Sequence, residues 1–228
     1  RTLHLSRNQL AGDVPASFVN LVNLFDPSIY GDFSNGLDLD YNALTVPEGY
    51  PDLTNPLHVL LSQKDPEWHL LQAFEQVIGS AGGSLTSLDG SVEIVVPAGT
   101  LEADTTFAFS PQPVANYDTG WLSFAGTSFE MTAEDESGLP LTVFEPPLWV
   151  TLRYTDEDIF GIPENSLALY YWDTTNSAWK DAVKTCPNGS YTRDLAGNTL
   201  SLSLCHLSEF SMLGLPLRIF LPMTEVYR

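Results

Sequence analysis

Basic side chains are scarce in this sequence. Nine lysines and arginines stand against twenty-nine aspartates and glutamates, which gives a formal net charge of −20 at pH 7. A field of this sign repels the phosphate backbone of nucleic acids and anionic lipid surfaces. We therefore expect no nucleic-acid partner, and we expect the scattered acidic residues to form a solvated surface.

Long hydrophobic runs are missing as well. No stretch approaches the roughly 18 consecutive apolar residues that a transmembrane helix requires. The chain also does not open with the charged and then apolar segments of a signal peptide, but this absence is uninformative because its first residues already lie inside the repeat pattern described below. We expect no insertion into a membrane.

Cysteine is rare, with Cys186 and Cys205 as the two in the chain. Neither has the close neighbours of a zinc site. We expect a disulfide, which indicates an oxidising compartment and so a secreted or cell-surface protein. Two buried free thiols are the alternative.

Conventional catalytic motifs are absent from the sequence. It contains no glycine-rich phosphate loop and, apart from one His-Leu-Ser segment described below, no nucleophile with a base and an orienting acid. We expect no cofactor. Asp156 and Asp158 are weak calcium candidates, because they lack the regular spacing of a calcium loop, and a solvated turn is the alternative.

Two segments near the N-terminus repeat each other, LHLSRNQL at residues 3–10 and LDLDYNAL at residues 37–44. The shared positions are Leu3, Leu5, Asn8 and Leu10, and then Leu37, Leu39, Asn42 and Leu44. With the intervening AGDVPASFVNLVNL, the pattern resembles plant-type leucine-rich repeats, as found in bacterial surface proteins. The resemblance implies inward leucines on short strands of a solenoid, with an inserted loop at 26–36 and further repeats before Arg1.

The segment NPLHVLLSQKDPEWHLLQ at residues 55–72 predicts a helix that ends at a turn, DPEW, with Trp68 covering the last coil. Leu57, Leu60 and Leu61 lie at i, i+3 and i+4, which gives the helix one apolar face. Pro56 suits the first helical turn. The segment resembles the cap that closes a leucine-rich-repeat array.

Beyond Gly79 the sequence changes to short β-rich runs separated by Gly, Pro, Asn and Asp, which is typical of an antiparallel β-sandwich. The candidate strands are 91–96, 105–110, 121–130, 148–154, 167–172, 179–181, 199–204 and 210–213. The predicted fold class is thus α+β and multidomain: the end of a leucine-rich-repeat solenoid with a helical cap, then an all-β sandwich. The predicted boundaries are 1–73 for the repeats and cap, 74–82 for a linker, 83–214 for the sandwich and 215–228 for a tail.

Two parts of the sandwich region resemble known modules. The run GGSLTSLDGSVEIVVPAGTLEADTTFAFSP at residues 82–111 resembles a ZU5 module. The run from Leu169 to Gly214, with Trp172, Trp179 and the segment HLSEF, resembles the autoproteolysis segment of GAIN domains. That resemblance implies that His206 deprotonates Ser208 and that the Ser208 hydroxyl attacks the Leu207 carbonyl, so that the peptide bond shifts to an ester. Water then splits the ester, and the chain is cleaved between Leu207 and Ser208.

The segment departs from the family pattern in two respects: the cysteine expected near Tyr171 is missing, and the other cysteine is shifted by one position. Cys205 directly precedes His206, whereas the family places its cysteine two positions before the histidine. The alternative is a simple strand that packs Leu207 and Phe210 into the core.

The sequence favours a non-enzymatic extracellular or cell-surface binding and scaffold protein. We expect a protein or glycan ligand for the repeats and a structural role for the sandwich. The alternative is a self-processing protein whose fragments stay associated. A hydrolase acting on polysaccharide would need paired carboxylates across a cleft, which sequence alone does not reveal.

Overall fold

A computed structural model describes residues 1–24 and 36–217. Nearly all of the expected insertion at 26–36 and most of the expected tail at 215–228 lie outside these residues. The strands are β1 (Leu3–His4), β2 (Ala11–Asp13), β3 (Leu37–Asp38), β4 (Ala43–Thr45), β5 (Phe74–Ile78), β6 (Gly83–Thr86), β7 (Val92–Val96), β8 (Thr105–Gln112), β9 (Ser123–Asp135), β10 (Leu148–Arg153), β11 (Ala168–Asp173), β12 (Ala178–Asp181), β13 (Thr192–Asp194), β14 (Thr199–Leu204) and β15 (Glu209–Gly214). The helix α1 spans Pro56–Lys64, and short 3-10 helices span Ala16–Asn20, Trp68–Leu70, Glu164–Ser166 and Ala182–Thr185.

Two antiparallel sheets form a β-sandwich, as the sequence predicted. One sheet has six strands in the order β12-β11-β15-β9-β8-β5, and the other has five in the order β13-β14-β10-β7-β6. Leu148, Val150 and Leu152 of β10 are fully buried, and the residues between them are more exposed. This alternation places one face of each strand against the main core, where Phe129 and Phe210 also lie.

The predicted strands are found, and β14 has the bounds that were predicted. The strand predicted at 121–130 differs most, because β9 continues to Asp135. The sequence reasoning missed β5, β6 and β13. Residues 74–82, which we expected to be a linker, include β5, and β5 pairs with β8 along its whole length. The six-stranded sheet therefore begins before the predicted boundary at residue 83.

The N-terminal third contains two short parallel strand pairs and one helix. Strand β1 pairs with β3, and β2 pairs with β4. Asn55 caps α1 by accepting a hydrogen bond from the Leu57 amide, and Pro56 occupies the first turn. The helix and Trp68 close a second, smaller core against Leu37, Leu39 and other apolar residues.

The prediction of a leucine-rich-repeat solenoid with a helical cap was wrong. Within residues 1–24 and 36–217 there is no stack of coils, and the only α-helix is α1. A solenoid needs each coil to rest on a neighbouring coil, with at least about three repeats to build a continuous core. Here Leu37 and Leu39 instead pack with Leu61 and Trp68 in a local core, so the repeated leucine spacing reflects that core.

A disulfide joins Cys186 and Cys205, with their Cα atoms 5.1 Å apart, which confirms the predicted pairing. It connects the residue that follows the 3-10 helix at Ala182–Thr185 to the end of β14. The Cys205 amide also donates to Thr185 Oγ1 at 3.3 Å. In the described part of the chain, no helix is long and apolar enough to cross a membrane.

Candidate functional site

The His206-Leu207-Ser208 segment lies between β14 and β15. The Ser208 hydroxyl donates a hydrogen bond to the Trp172 carbonyl oxygen at 3.1 Å. The His206 ring packs edge-on against Tyr171, with centroids 4.6 Å apart, and its Nδ1 lies 3.3 Å from the Leu207 carbonyl oxygen. The described contacts thus bring His206 to the carbonyl of the expected cleavage site but do not join it to the Ser208 hydroxyl.

The backbone of this segment shows no unusual conformation. Among the described residues with positive φ, none lies at positions 206–208. Leu207 packs against the main core, and Phe210 is buried within it. This is the arrangement of the packing alternative, and cleavage between Leu207 and Ser208 stays a prediction.

A cleft of about 250 Å³ opens beside Ser208 on the outer face of the six-stranded sheet. Its walls come from β9, the start of β15, the end of β11, the loop at residues 140–142 and Tyr117. We call it the aromatic cleft and define it by Tyr117, Trp172, Glu130, Glu209 and Ser208. The walls of the cleft therefore come from several elements that pack on the main core.

Aromatic rings form one wall of the cleft. The Tyr117 ring stacks on Trp172, with centroids 3.8 Å apart and an interplanar angle of 7°. Trp179 pairs with Trp172 across the β11-β12 hairpin and meets it edge-on at 5.5 Å. The Trp179 indole also donates to the Tyr117 carbonyl oxygen at 3.4 Å, which holds the Tyr117 loop against the hairpin. Tyr117 remains 43% exposed, so part of its ring is available to a ligand.

Two glutamate carboxylates also line the cleft. Glu130 of β9 and Glu209 of β15 are direct partners in the antiparallel pairing. Because Phe129 and Phe210 point into the core, the neighbouring glutamates point outward. Burial raises the pKa of Glu209, hydrogen bonds from the side chain and the amide of Asn116 oppose this shift, and the charge of Glu130 adds a smaller increase.

Basic groups are missing from this cleft. None of its lining residues is a lysine, arginine or histidine. Lys180, on the neighbouring hairpin, forms an ion pair with Asp173. The hydrogen bond from Lys180 holds the pKa of Asp173 well below its usual range. Further along the face that carries Glu209, the Ser211 hydroxyl is buried without a hydrogen-bond partner in the described structure.

A second group of carboxylates lies in the N-terminal part. Asp38, Asp40 and Asp65 each offer an oxygen within 4.8 Å of the others, which is close enough to share one metal ion. Two of them are already engaged by protein, because Asp38 accepts from Ser6 Oγ and Asp65 accepts from the Leu39 amide. Burial, followed by the charges of Asp38 and a nearby glutamate, raises the pKa of Asp40 to about 6.

The two calcium candidates make separate contacts. Asp158 accepts from the amide and hydroxyl of Thr155, at 2.7 and 2.8 Å. Asp156 accepts from Asn198 Nδ2 at 3.3 Å. Within the described residues the two do not belong to a group with metal-binding spacing, and calcium binding there stays a prediction.

The repeated residues of the N-terminal segments meet in the second core. Leu37, Leu39 and Leu44 are buried, and Leu3, Leu5 and Leu10 pack against them. The buried Asn42 side chain accepts from the amides of Asn8 and Leu10, and it donates to the carbonyl oxygens of the residues that follow β1 and β3. This asparagine connects the two parallel strand pairs, and the described contacts give these residues a structural role.

No family model and no curated protein matches this chain. The resemblances to leucine-rich repeats and to ZU5 or GAIN modules were therefore wrong as family assignments, and a β-sandwich with one disulfide remains of them. The sequence reasoning quoted Trp172 and Trp179 but missed Tyr117, Glu130 and Glu209 as site residues. The one available signal was the presence of a tryptophan on each of two successive predicted strands, 167–172 and 179–181. The glutamates meet only through pairing between distant strands.

Proposed function

We propose that the protein is a non-enzymatic binding and scaffold protein that works outside the cytoplasm, with the aromatic cleft as its binding surface. The observation that carries this proposal is the convergence of stacked aromatic rings and an opposed carboxylate pair on one outward sheet face. Aromatic surface with a few placed polar groups is the usual composition of a ligand site. The disulfide supports an oxidising location, because such bonds are rare in the cytosol.

The scaffold part of the proposal rests on the rigidity of the sandwich. The strands that carry Glu130, Glu209 and Trp172 are hydrogen-bonded to one another in the six-stranded sheet. Sites on strands are held more precisely than sites on loops. The sheet therefore fixes the spacing between the carboxylates and the aromatic wall before a ligand arrives.

Binding to immobilised peptide and glycan arrays tests this function. We expect wild-type protein to give reproducible signals that Tyr117→Ala removes, because the substitution takes away the exposed ring of the cleft. Phe160→Ala is the matched control, since Phe160 is 92% exposed and does not line the cleft. Signals that survive Tyr117→Ala, or the lack of any signal in both arrays, would contradict the proposal.

One observation favours a second function, the hydrolysis of polysaccharide. Glu130 and Glu209 are a pair of carboxylates at a cleft, and glycoside hydrolases use such pairs. The raised pKa of Glu209 suits a general acid. Mass spectrometry of glycans incubated with the protein distinguishes the two functions: shortened chains that are not produced by Glu209→Gln would establish hydrolysis, and unchanged chains would favour binding.

A further inference from the structure

The size of the aromatic cleft limits what it holds. Its volume of about 250 Å³ lies below the roughly 300–1,000 Å³ of sites that enclose a whole drug-sized ligand. A cleft of this size accommodates one side chain of a larger partner. The apolar loop beside it, with Leu139 and Val143 exposed by 63% and 75%, offers contact surface to the rest of that partner.

The charge of the cleft is negative and locally uncompensated. Glu130 and Glu209 make no ion pair within the described part of the chain, and the hydrogen bonds that Glu209 accepts come from the neutral amide and side chain of Asn116. No cationic side chain lines the cleft, and Lys180 of the β11-β12 hairpin is paired with Asp173. A partner that brings a positive charge therefore meets two acceptors that the protein itself leaves unneutralised.

We propose that the aromatic cleft binds the guanidinium group of an arginine side chain presented by a protein or peptide partner. This inference rests on the proposed binding function and names its ligand class. The guanidinium is planar, so it stacks on the exposed part of the Tyr117 ring while its N–H groups donate to Glu130 and Glu209. A lysine ammonium offers the charge without the planar fork, and a neutral sugar offers neither.

The rest of the chain supports a cationic partner. The net charge of −20 attracts basic segments over a distance set by the ionic strength. The carboxylate pair also destabilises the empty sheet, because like charges placed directly opposite each other repel. A feature that lowers stability while shaping a surface cleft is typical of a functional site.

A comparison of the affinities of two matched peptides tests the inference. The probes are acetyl-Gly-Arg-Gly-amide and the same peptide with citrulline, which keeps the shape of arginine but is neutral. Binding is followed through the indole N–H signals of Trp172 and Trp179 in nitrogen-proton correlation spectra. We expect the arginine peptide to bind about tenfold or more tightly than the citrulline peptide, since hydrogen bonds to charged groups contribute about 1.5–3 kcal/mol.

Variants that replace a glutamate with glutamine show which carboxylates produce the preference for arginine. Glu130→Gln and Glu209→Gln should each reduce the arginine preference, and Glu75→Gln is the matched control. Glu75 is an exposed glutamate on the edge strand β5 of the same sheet, far along the strand order from β15. The sheet positions allow all three variants to fold, and thermal unfolding curves check this directly.

Equal affinity for the two peptides would overturn the inference, as would an arginine preference that Glu75→Gln lowers as much as Glu130→Gln does. Glycan or neutral-peptide binding at the cleft, lost in Tyr117→Ala but without preference for arginine, would also overturn it. That last result would leave the proposed binding function intact, so the two failures are distinguishable.

Discussion

Glu130 and Glu209 stand directly opposite each other on β9 and β15, so two like charges meet on one face of the sheet. Directly opposed side chains in an antiparallel pair have Cβ atoms about 4.5–5.5 Å apart. The same alternation that buries Phe129 and Phe210 forces both glutamates outward. The repulsion is therefore a consequence of the register, and it makes the pair responsive to any positive group that enters the cleft.

We predict that Glu130→Gln stabilises the protein. Removing one of two opposed charges should raise the free energy of unfolding by about 0.2–1 kcal/mol. Urea denaturation followed by tryptophan fluorescence measures the change. Glu75→Gln should have little effect, because the partner of Glu75 across the strand pair is Ala108. A lower stability of Glu130→Gln would show that the glutamate has a favourable partner.

The disulfide gives a second prediction. Cys186 and Cys205 enclose a loop with a sequence separation of 19. On the chain-entropy account, closing such a loop stabilises the fold by about 3 kcal/mol. The double variant Cys186→Ser and Cys205→Ser should lose about that much in urea denaturation, and adding reductant to it should change nothing further. An unchanged midpoint in the double variant would contradict the account.

The hydrogen bond of the Ser208 hydroxyl predicts that the chain is not cleaved between Leu207 and Ser208. Its hydroxyl donates to the Trp172 carbonyl oxygen, so its proton is directed away from His206. Denaturing electrophoresis and intact mass measurement should find one species of 25.1 kDa, before and after Ser208→Ala. Two fragments that join at Leu207 and Ser208, absent in Ser208→Ala, would instead establish the self-processing alternative.

Asp40 predicts a dependence of stability on pH. Its folded-state pKa of about 6 lies above the ordinary value of 3.8, so the folded chain holds this proton more tightly than the unfolded chain. The contribution of Asp40 to stability therefore falls as pH rises from about 3.8 to about 6.

The variant Asp40→Asn has no carboxyl group at this position, so it should not show the loss of stability that Asp40 causes as pH rises. The variant should exceed the wild type by about 1–2 kcal/mol at pH 7, an amount reduced from the full shift because the side chain is partly solvated. The difference should vanish near pH 3.5, below both pKa values of Asp40. Urea denaturation at several pH values measures it. A difference that stays constant across this range would contradict the assignment to Asp40.

The sandwich was predictable because local alternation carries the information. Leu148, Val150 and Leu152 recur at every second position, and turn residues bound the strand, so its position and its buried face are both visible in the sequence. Strand β13 lacks such alternation and pairs at an edge of its sheet. Short edge strands of this kind are fixed by their partners, which explains why it was missed.

The N-terminal architecture and the cleft were not predictable for a different reason. The spacing of Leu37, Leu39 and Leu44 specifies which side chains are buried, but it does not specify whether they pack on another coil or on a helix and Trp68. Likewise Glu130 and Glu209 are far apart in sequence, and the register of β9 and β15 brings them together. Both features depend on tertiary pairing, and local periodicity does not contain it.

The central claim is that the aromatic cleft is the binding surface of this protein. Its most direct test is chemical-shift mapping with the arginine peptide on isotope-labelled protein. The account predicts that the largest shifts fall on the Trp172 indole and on the amides of Tyr117, Glu130 and Glu209, and that they disappear in Tyr117→Ala. Shifts that concentrate elsewhere on the sandwich, or that persist unchanged in the variant, would contradict it.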